Sequence, residues 1–269
     1  MMKILRTILT SFLLLCGLTA ARAQEVRLYA AVADPVGFVA VGEVFAHLDA
    51  EGNIIDTLSL RVPIVSLAEL DEWYYGIDTI GKEILMIHES GEIVARIEPP
   101  LNGRLRAITA DETTLWAVTD AGEIIHSKNG FLWSGFDFNK QYAKFYPKMD
   151  FRAVAAGGGS IMVAGITDRG NPAAFTASGS GTVWSERLLD YTKQRRPLHL
   201  RAEPVGLAYD EIQDSFYMLC NDGIVFRMPS CSHCNSVENY EVDRVYARVP
   251  REFDVLLLGS EGFRVVEKP

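Results

Sequence analysis

Cys220, Cys231, His233 and Cys234 lie close together near the carboxyl end of this 269-residue chain, and they are its best candidates for redox or metal chemistry. Cys231-Ser232-His233-Cys234 has the spacing of a thiol–disulfide exchange site. That chemistry needs the first thiol at a helix amino terminus within a βαβ unit, and no helical pattern follows here. Covalent haem attachment would place His after the second Cys, where Asn235 stands. Three thiolates with His233 make a conceivable zinc set. In an oxidising compartment one structural disulfide with a spare thiol is the preferred use, so no cofactor and no metal is expected. The zinc set and fully reduced thiols remain the alternatives.

Other reactive side chains are dispersed. His47, His88, His126 and His199 have no common spacing. The chain has no Gly-x-Ser-x-Gly elbow, no His-Glu-x-x-His pair and no phosphate loop, and Gly157-Gly158-Gly159 reads as a turn. Carboxylates stand singly at turns, which nominates no general acid and base pair. No catalytic residue is assigned, and the balance leans against an enzyme.

The amino terminus carries Lys3 and Arg6, an apolar run from Ile8 to Leu18, and the small-residue site Ala21-Arg22-Ala23. This is the pattern of a secretory signal peptide over residues 1–23, with cleavage before Gln24. The run is too short for a transmembrane helix, and no second stretch approaches membrane length. A lipid anchor on Cys16 is disfavoured by Leu15 just before it. The expected location is therefore outside the cytoplasm: periplasmic, cell-surface or secreted. The formal net charge is −9, and the signal segment holds only basic charges, so the remainder is more acidic still. Such a chain repels phosphate backbones and is not expected to bind nucleic acid.

Residues 24–269 read as one all-β domain built of repeats. A hairpin with a Gly turn recurs at Gly52, Gly91, Gly122, Gly223 and Gly262, and a further unit turns near Asp168-Arg169-Gly170. Units averaging about forty residues match a four-stranded propeller blade. Strings of small and branched residues, Tyr75–Asp78, Arg106–Ala110, Arg152–Ala156 and Val205–Tyr209, suit innermost strands crowded about an axis. Thr114–Val118 and Ser215–Leu219 are bulkier, as middle strands between neighbouring sheets should be. The expectation is a six-bladed β-propeller, with five or seven blades and a β-sandwich as alternatives. Val26–Ala30 is expected to supply the outer strand of the last unit and close the ring.

Two segments share one grammar: Ser127-Lys128-Asn129-Gly130-Phe131-Leu132-Trp133 and Ser178-Gly179-Ser180-Gly181-Thr182-Val183-Trp184. Both resemble the Asp-box, or BNR, repeat of sialidase-type propellers, although Asn129 and Ser180 stand where Asp is usual. Leu115–Ile124, running into Ser127, is also similar to blades of photosystem-assembly and sortilin-like propellers. The resemblance implies a box on the turn between the third and fourth strands, away from the ligand. Ser127, Asn129, Ser178 and Ser180 would then bond turn backbone, Gly130 and Gly181 would supply the turn, and Trp133 and Trp184 would pack between sheets. Phe226-Arg227-Met228-Pro229 resembles a sialidase arginine motif, but it follows the boxes where the enzymes place it before them. The resemblance therefore implies the architecture without the sialidase catalytic set.

In a propeller, loops from the outer strand of one blade to the inner strand of the next collect at one rim. Two of these loops are unusual: one carries Tyr142, Lys144, Phe145 and Tyr146, and the other Lys193, Arg195, Arg196, His199 and Arg201. Aromatic and Arg side chains dominate binding hot spots. The expected function is an exported, non-enzymatic propeller that binds a protein or glycan through this rim. A carbohydrate-active hydrolase or lyase using the same rim is the alternative.

Overall fold

A computed structural model of the chain describes residues 27–34, 37–179, 181, 183–188, 203–221, 223–230, 243–248, 253–259 and 262–267. Five antiparallel sheets of four strands follow in chain order. Blade 1 is β1 (Leu28–Asp34), β2 (Gly37–Gly42), β3 (Val44–Leu48) and β4 (Ile54–Ser59). Blade 2 is β5 (Ile64–Leu70), β6 (Trp73–Asp78), β7 (Ile84–Ile87) and β8 (Ile93–Ile97). Blade 3 is β9 (Leu105–Ala110), β10 (Leu115–Thr119), β11 (Glu123–Ser127) and β12 (Ser134–Asp137), followed by the one-turn helix α1 (Phe138–Gln141). Blade 4 is β13 (Met149–Gly157), β14 (Ser160–Thr167), β15 (Pro172–Ser178) and β16 (Trp184–Leu188). Blade 5 is β17 (Pro204–Asp210), β18 (Ser215–Cys220), β19 (Ile224–Pro229) and β20 (Asp243–Arg248). A two-stranded sheet, β21 (Phe253–Gly259) and β22 (Gly262–Glu267), comes last.

First strands pack beside first strands: β1 by β5, β5 by β9, β9 by β13 and β13 by β17, with β21 beside β17 and β1. This radial order is that of a β-propeller. Three sequence expectations change. The blade count is five, not six, because the last hairpin has two strands among the described residues. Residues 28–30 do not extend the last sheet; they open β1, which pairs with β2 from Leu28 opposite Gly42 to Asp34 opposite Gly37. Ala30, Ala31 and Ala33 fit beside the axis, so this segment is spent on blade 1, and strand closure of the ring by the chain's start is not seen. Tyr75–Asp78 lies in β6, a second strand, because the inner position of blade 2 is taken by β5.

The core is a series of apolar layers between adjacent sheets. Tyr75, Ile77 and Ile84 of blade 2 meet Ile108, Leu115 and Trp133 of blade 3. Trp116 and Ile124 of blade 3 meet Phe151, Phe175 and Trp184 of blade 4. Second strands such as β10 and β18 are buried at every residue, as continuous apolar runs must be when both faces of a sheet are covered.

Two turn families set the ends of the blades. Between second and third strands, Asp78-Thr79-Ile80-Gly81, Thr119-Asp120-Ala121-Gly122 and Thr167-Asp168-Arg169-Gly170 each close with the Gly N–H donating to the first residue's carbonyl, and Gly223 does the same to Cys220. The four glycines have φ between 69° and 83°, a region costly for other residues. Between third and fourth strands, Gly52, Gly91 and Gly181 donate in the same way to Asp49, His88 and Ser178, and Gly130 holds the corresponding place after Ser127 with φ of 74°. The second–third turns share one end of the blades with the inter-blade loops, here the near end. The third–fourth turns lie at the far end.

Candidate functional site

Each first strand carries a β-bulge, at the second residue of β1, β5, β9 and β17 and at the fourth of β13. The register steps from Leu28 to Ala30, Ile64 to Ser66, Leu105 to Ala107, Phe151 to Ala153 and Pro204 to Gly206 while the partner strand advances by one residue. The extra residues are Tyr29, Val65, Arg106, Arg152 and Val205. The backbone of β21 repeats the step from Phe253 to Val255. A bulge adds local twist and redirects the extra side chain. Here it brings these five to the axis, Val65 while still touching the layer between blades 2 and 3.

All five line a central channel of about 470 Å³ whose walls mix small residues, among them Ala30, Ala107 and Ala153, with larger ones, among them Phe38, Ile108 and Tyr209. At the near end, Val65, Arg106, Arg152 and Val205 also border a mouth of about 310 Å³ with Arg104, Asp78 and Glu203. The bulge residues therefore form a collar between the mouth and the channel. A separate cavity of about 390 Å³ at the far end is lined by Glu69, Asp71, Asp111 and Glu112. Burial, reinforced by the nearby Asp34 charge, raises the carboxyl pKa of Glu69.

The collar's cations are held by carboxylates. Asp120 Oδ1 accepts from the Arg104 N–H at 2.8 Å, and its Oδ2 accepts from Arg106 Nη2 at 3.0 Å. Arg152 Nη2 donates to Asp150 Oδ2 at 2.6 Å, and its Nη1 lies 4.0 Å from Glu203 Oε2. The Nε atoms of both Arg106 and Arg152, and Asp150 Oδ1, are shielded from solvent with no hydrogen-bond partner. Partly exposed ion pairs contribute on the order of 0–1 kcal/mol, so these pairs position the guanidinium groups more than they stabilise the fold.

The mouth is rigid because the turns clamp the inter-blade loops. Asp120 N–H donates to Arg104 C=O and Asn221 N–H to Glu203 C=O. The return bond from Glu203 N–H goes to Asn221 Oδ1 at 3.0 Å. Glu123 accepts from the Asn102 and Gly103 amides and from Thr119 Oγ1. Burial opposes its charge, but these donors outweigh burial and hold the carboxyl below its usual range.

Of the residues nominated from sequence, those that are described do not line this channel. Tyr142 stacks on Phe138 at 4.7 Å between ring centroids, and Tyr146 meets Phe138 and Phe175. Both pack on the layer between blades 3 and 4 and do not line the channel. Lys144 and Phe145 are exposed, Phe145 at 75%. Lys193, Arg195, Arg196, His199 and Arg201 lie outside the described residues, as do Cys231, His233 and Cys234. Cys220 is buried between blades 4 and 5, and no metal-binding cluster occurs among the described residues. Arg227 lies on a third strand with its Nε 3.3 Å from Ser215 Oγ, away from the channel.

The repeat residues occupy third–fourth turns at the far end. Asn129 Oδ1 accepts from the Phe131 and Leu132 amides at 3.0 and 2.9 Å and from Ser127 Oγ at 3.2 Å. Trp133 Nε1 donates to Gly130 C=O and Trp184 Nε1 to Gly181 C=O, and both indoles are buried. Ser178 ends β15, while Ser180 lies outside the described residues. The collar was missed because a bulge is a relation between two strands. Its one trace in the sequence is the Arg-Ala start shared by Arg106-Ala107 and Arg152-Ala153.

Comparison with known proteins bears on the fold. No known family model and no curated protein sequence matches the chain. Among solved structures, virginiamycin B lyase from Staphylococcus aureus superposes with a TM-score of 0.63 at 13% identity, over 91% of this chain and 79% of that one. YCF48 from Cyanidioschyzon merolae gives 0.56 at 16% identity, over 82% and 72%. A chain of a nidogen/laminin complex gives 0.53 at 16% identity, over 70% and 71%. The chain is thus a β-propeller. At such identities the likeness extends to architecture alone, and no helix among the described residues is long and apolar enough to cross a membrane.

Proposed function

We propose that this chain is an exported, non-enzymatic β-propeller that binds a protein or glycan at its near end. The carrying observation is the bulge collar: Tyr29, Val65, Arg106, Arg152 and Val205 are brought to one channel, the last four also to its near-end mouth, by the same irregularity on successive blades. Apolar and Arg side chains around a concavity are the composition of a recognition site. The clamped loops supply the pre-organisation that lowers the entropic cost of binding. The solved nidogen/laminin complex supports the reading by analogy, as a matching fold found in a protein–protein assembly. Lys3, Arg6, the apolar run and Ala21-Arg22-Ala23 support export.

Both halves can be tested in the producing cell. Amino-terminal sequencing of the protein recovered outside the cytoplasm should begin at Gln24; recovery of intact Met1 in the cytoplasm would refute export. Cross-linked partners captured from envelope extracts should be lost on Val205→Trp or Val65→Trp, which fill the collar, while melting temperature is retained. Capture unaffected by both substitutions would remove the near end as the site. Turnover of a glycan by the purified protein would replace the binding role with the enzymatic one.

A further inference from the structure

Resting on that binding role, we propose that Arg106 and Arg152 together receive a carboxylate carried by a polypeptide partner. The two residues hold the same bulge position on adjacent first strands and border both the mouth and the channel. Their side chains are partly exposed, 36% and 28%. Each guanidinium gives one Nη to a carboxylate and leaves Nε shielded and unbonded. A guanidinium has five N–H donors in a planar fork, and its side-on edge, Nε with one Nη, matches the two oxygens of a carboxylate. Turning the terminal torsions toward a ligand would give those Nε donors the acceptor they lack.

The surrounding charge selects among anions. Arg104, Arg106 and Arg152 share the mouth with Asp78 and Glu203, and Asp120 and Asp150 pair with Arg106 and Arg152, so the local balance is not positive. A dianion such as phosphate or sulfate meets repulsion from four carboxylates. A single carboxylate accepts the same directional fork at half that charge, and so meets less repulsion. Asp150 Oδ1 supplies the complementary demand, a shielded acceptor without a donor. A peptide offers an N–H beside its carboxylate, and the alanine-lined channel suits a short aliphatic neighbour. A polypeptide meets all three conditions at once.

The test uses the purified protein and four probes: acetyl-Ala-Glu-Val-amide, its Gln counterpart, acetyl-Ala-Gln-Val with a free terminal carboxylate, and inorganic sulfate. Arg Nε–Hε signals are followed by NMR and assigned with Arg106→Lys and Arg152→Lys. At least one carboxylate peptide should shift both signals, and which one does identifies a side-chain or terminal source. The neutral Gln peptide should leave them in place. Each Lys variant keeps the charge but loses the fork, and should weaken peptide binding by about tenfold or more. Equal binding of the neutral peptide, equal binding by the Lys variants, displacement by sulfate at the same concentration, or no shift with either carboxylate would overturn the inference. A partner still captured by both Lys variants but lost on Val205→Trp would sink the carboxylate alone and leave the binding role standing. Capture indifferent to Val205→Trp would sink the binding role itself.

Discussion

Gly130 of blade 3 lies directly against the ring of Tyr75 in blade 2, so close that a β-carbon on Gly130 would overlap the phenol. Gly130 also has φ of 74°, in the left-handed region. The box turn is thus part of the joint between two blades. Gly130→Ala adds backbone strain to a steric overlap with a buried ring, and should cost about 1–3 kcal/mol. Chemical denaturation of the variant checks this, with Gly170→Ala as the comparison: its φ is 76° but nothing lies near its added carbon. Equal losses at the two sites would mean that Tyr75 yields freely and that backbone strain alone matters.

Asn139 joins a second pair of blades. Its Nδ2 donates to Ala121 C=O and Met149 C=O, and its Oδ1 accepts from Met149 N–H at 2.7 Å. Asn139→Ala leaves these backbone groups without a partner, at about 1–3 kcal/mol for each group that water cannot reach. Amide exchange should accelerate at Met149 more than at Phe175. Unchanged exchange at Met149 would show that the loop is held by the aromatic packing around Phe138 alone.

Glu123 predicts a pH dependence. Burial opposes its charge, but the Asn102, Gly103 and Thr119 donors outweigh burial and hold its folded pKa below the ordinary glutamate value of 4.5. The unfolded chain therefore binds more protons in that range, and stability rises with pH there. The contribution is complete above the unfolded value and fades as pH falls through the folded one. Glu123→Gln should flatten the acid side of the melting-temperature profile below pH 4.5 relative to the unaltered protein. Parallel acid limbs would refute the assignment.

Tyr209 is raised to about 12 by burial and by donation to Asp214 Oδ1, whose charge disfavours phenolate. A ¹³Cζ titration should find it still protonated at a pH where exposed tyrosines have ionised. Asp214→Asn keeps an acceptor but removes the charge, and should bring the Tyr209 transition down. No change in that variant would leave burial as the sole cause.

The repetition, the Gly turns and three of the four small inner strands are readable because each is local, whereas Tyr75–Asp78 has the inner pattern in a second strand. Gly at a positive φ, alternation within a strand and Trp three residues after a Gly are properties of a few consecutive residues. The blade count was misjudged at the two ends of the chain. Val26–Ala30 reads as a closing strand, yet from Leu28 it runs on into Ala31-Val32-Ala33 as one inner strand, because nothing local distinguishes an inner strand from a closing one. The aromatic loop was legible as unusual, but its use was not. Tyr142 and Tyr146 are drawn into the layer around Phe138 and Phe175, a surface contributed by residues distant in the chain.

Sequence alone established that the chain is all-β and modular, with turns whose glycine backbones admit few substitutes. Three-dimensional packing decided which strand of each module faces the axis and which side chains meet there. The collar shows why. Tyr29, Val65, Arg106, Arg152 and Val205 share no residue type, and what unites them is one extra residue against the neighbouring strand. That offset exists only once two strands have paired.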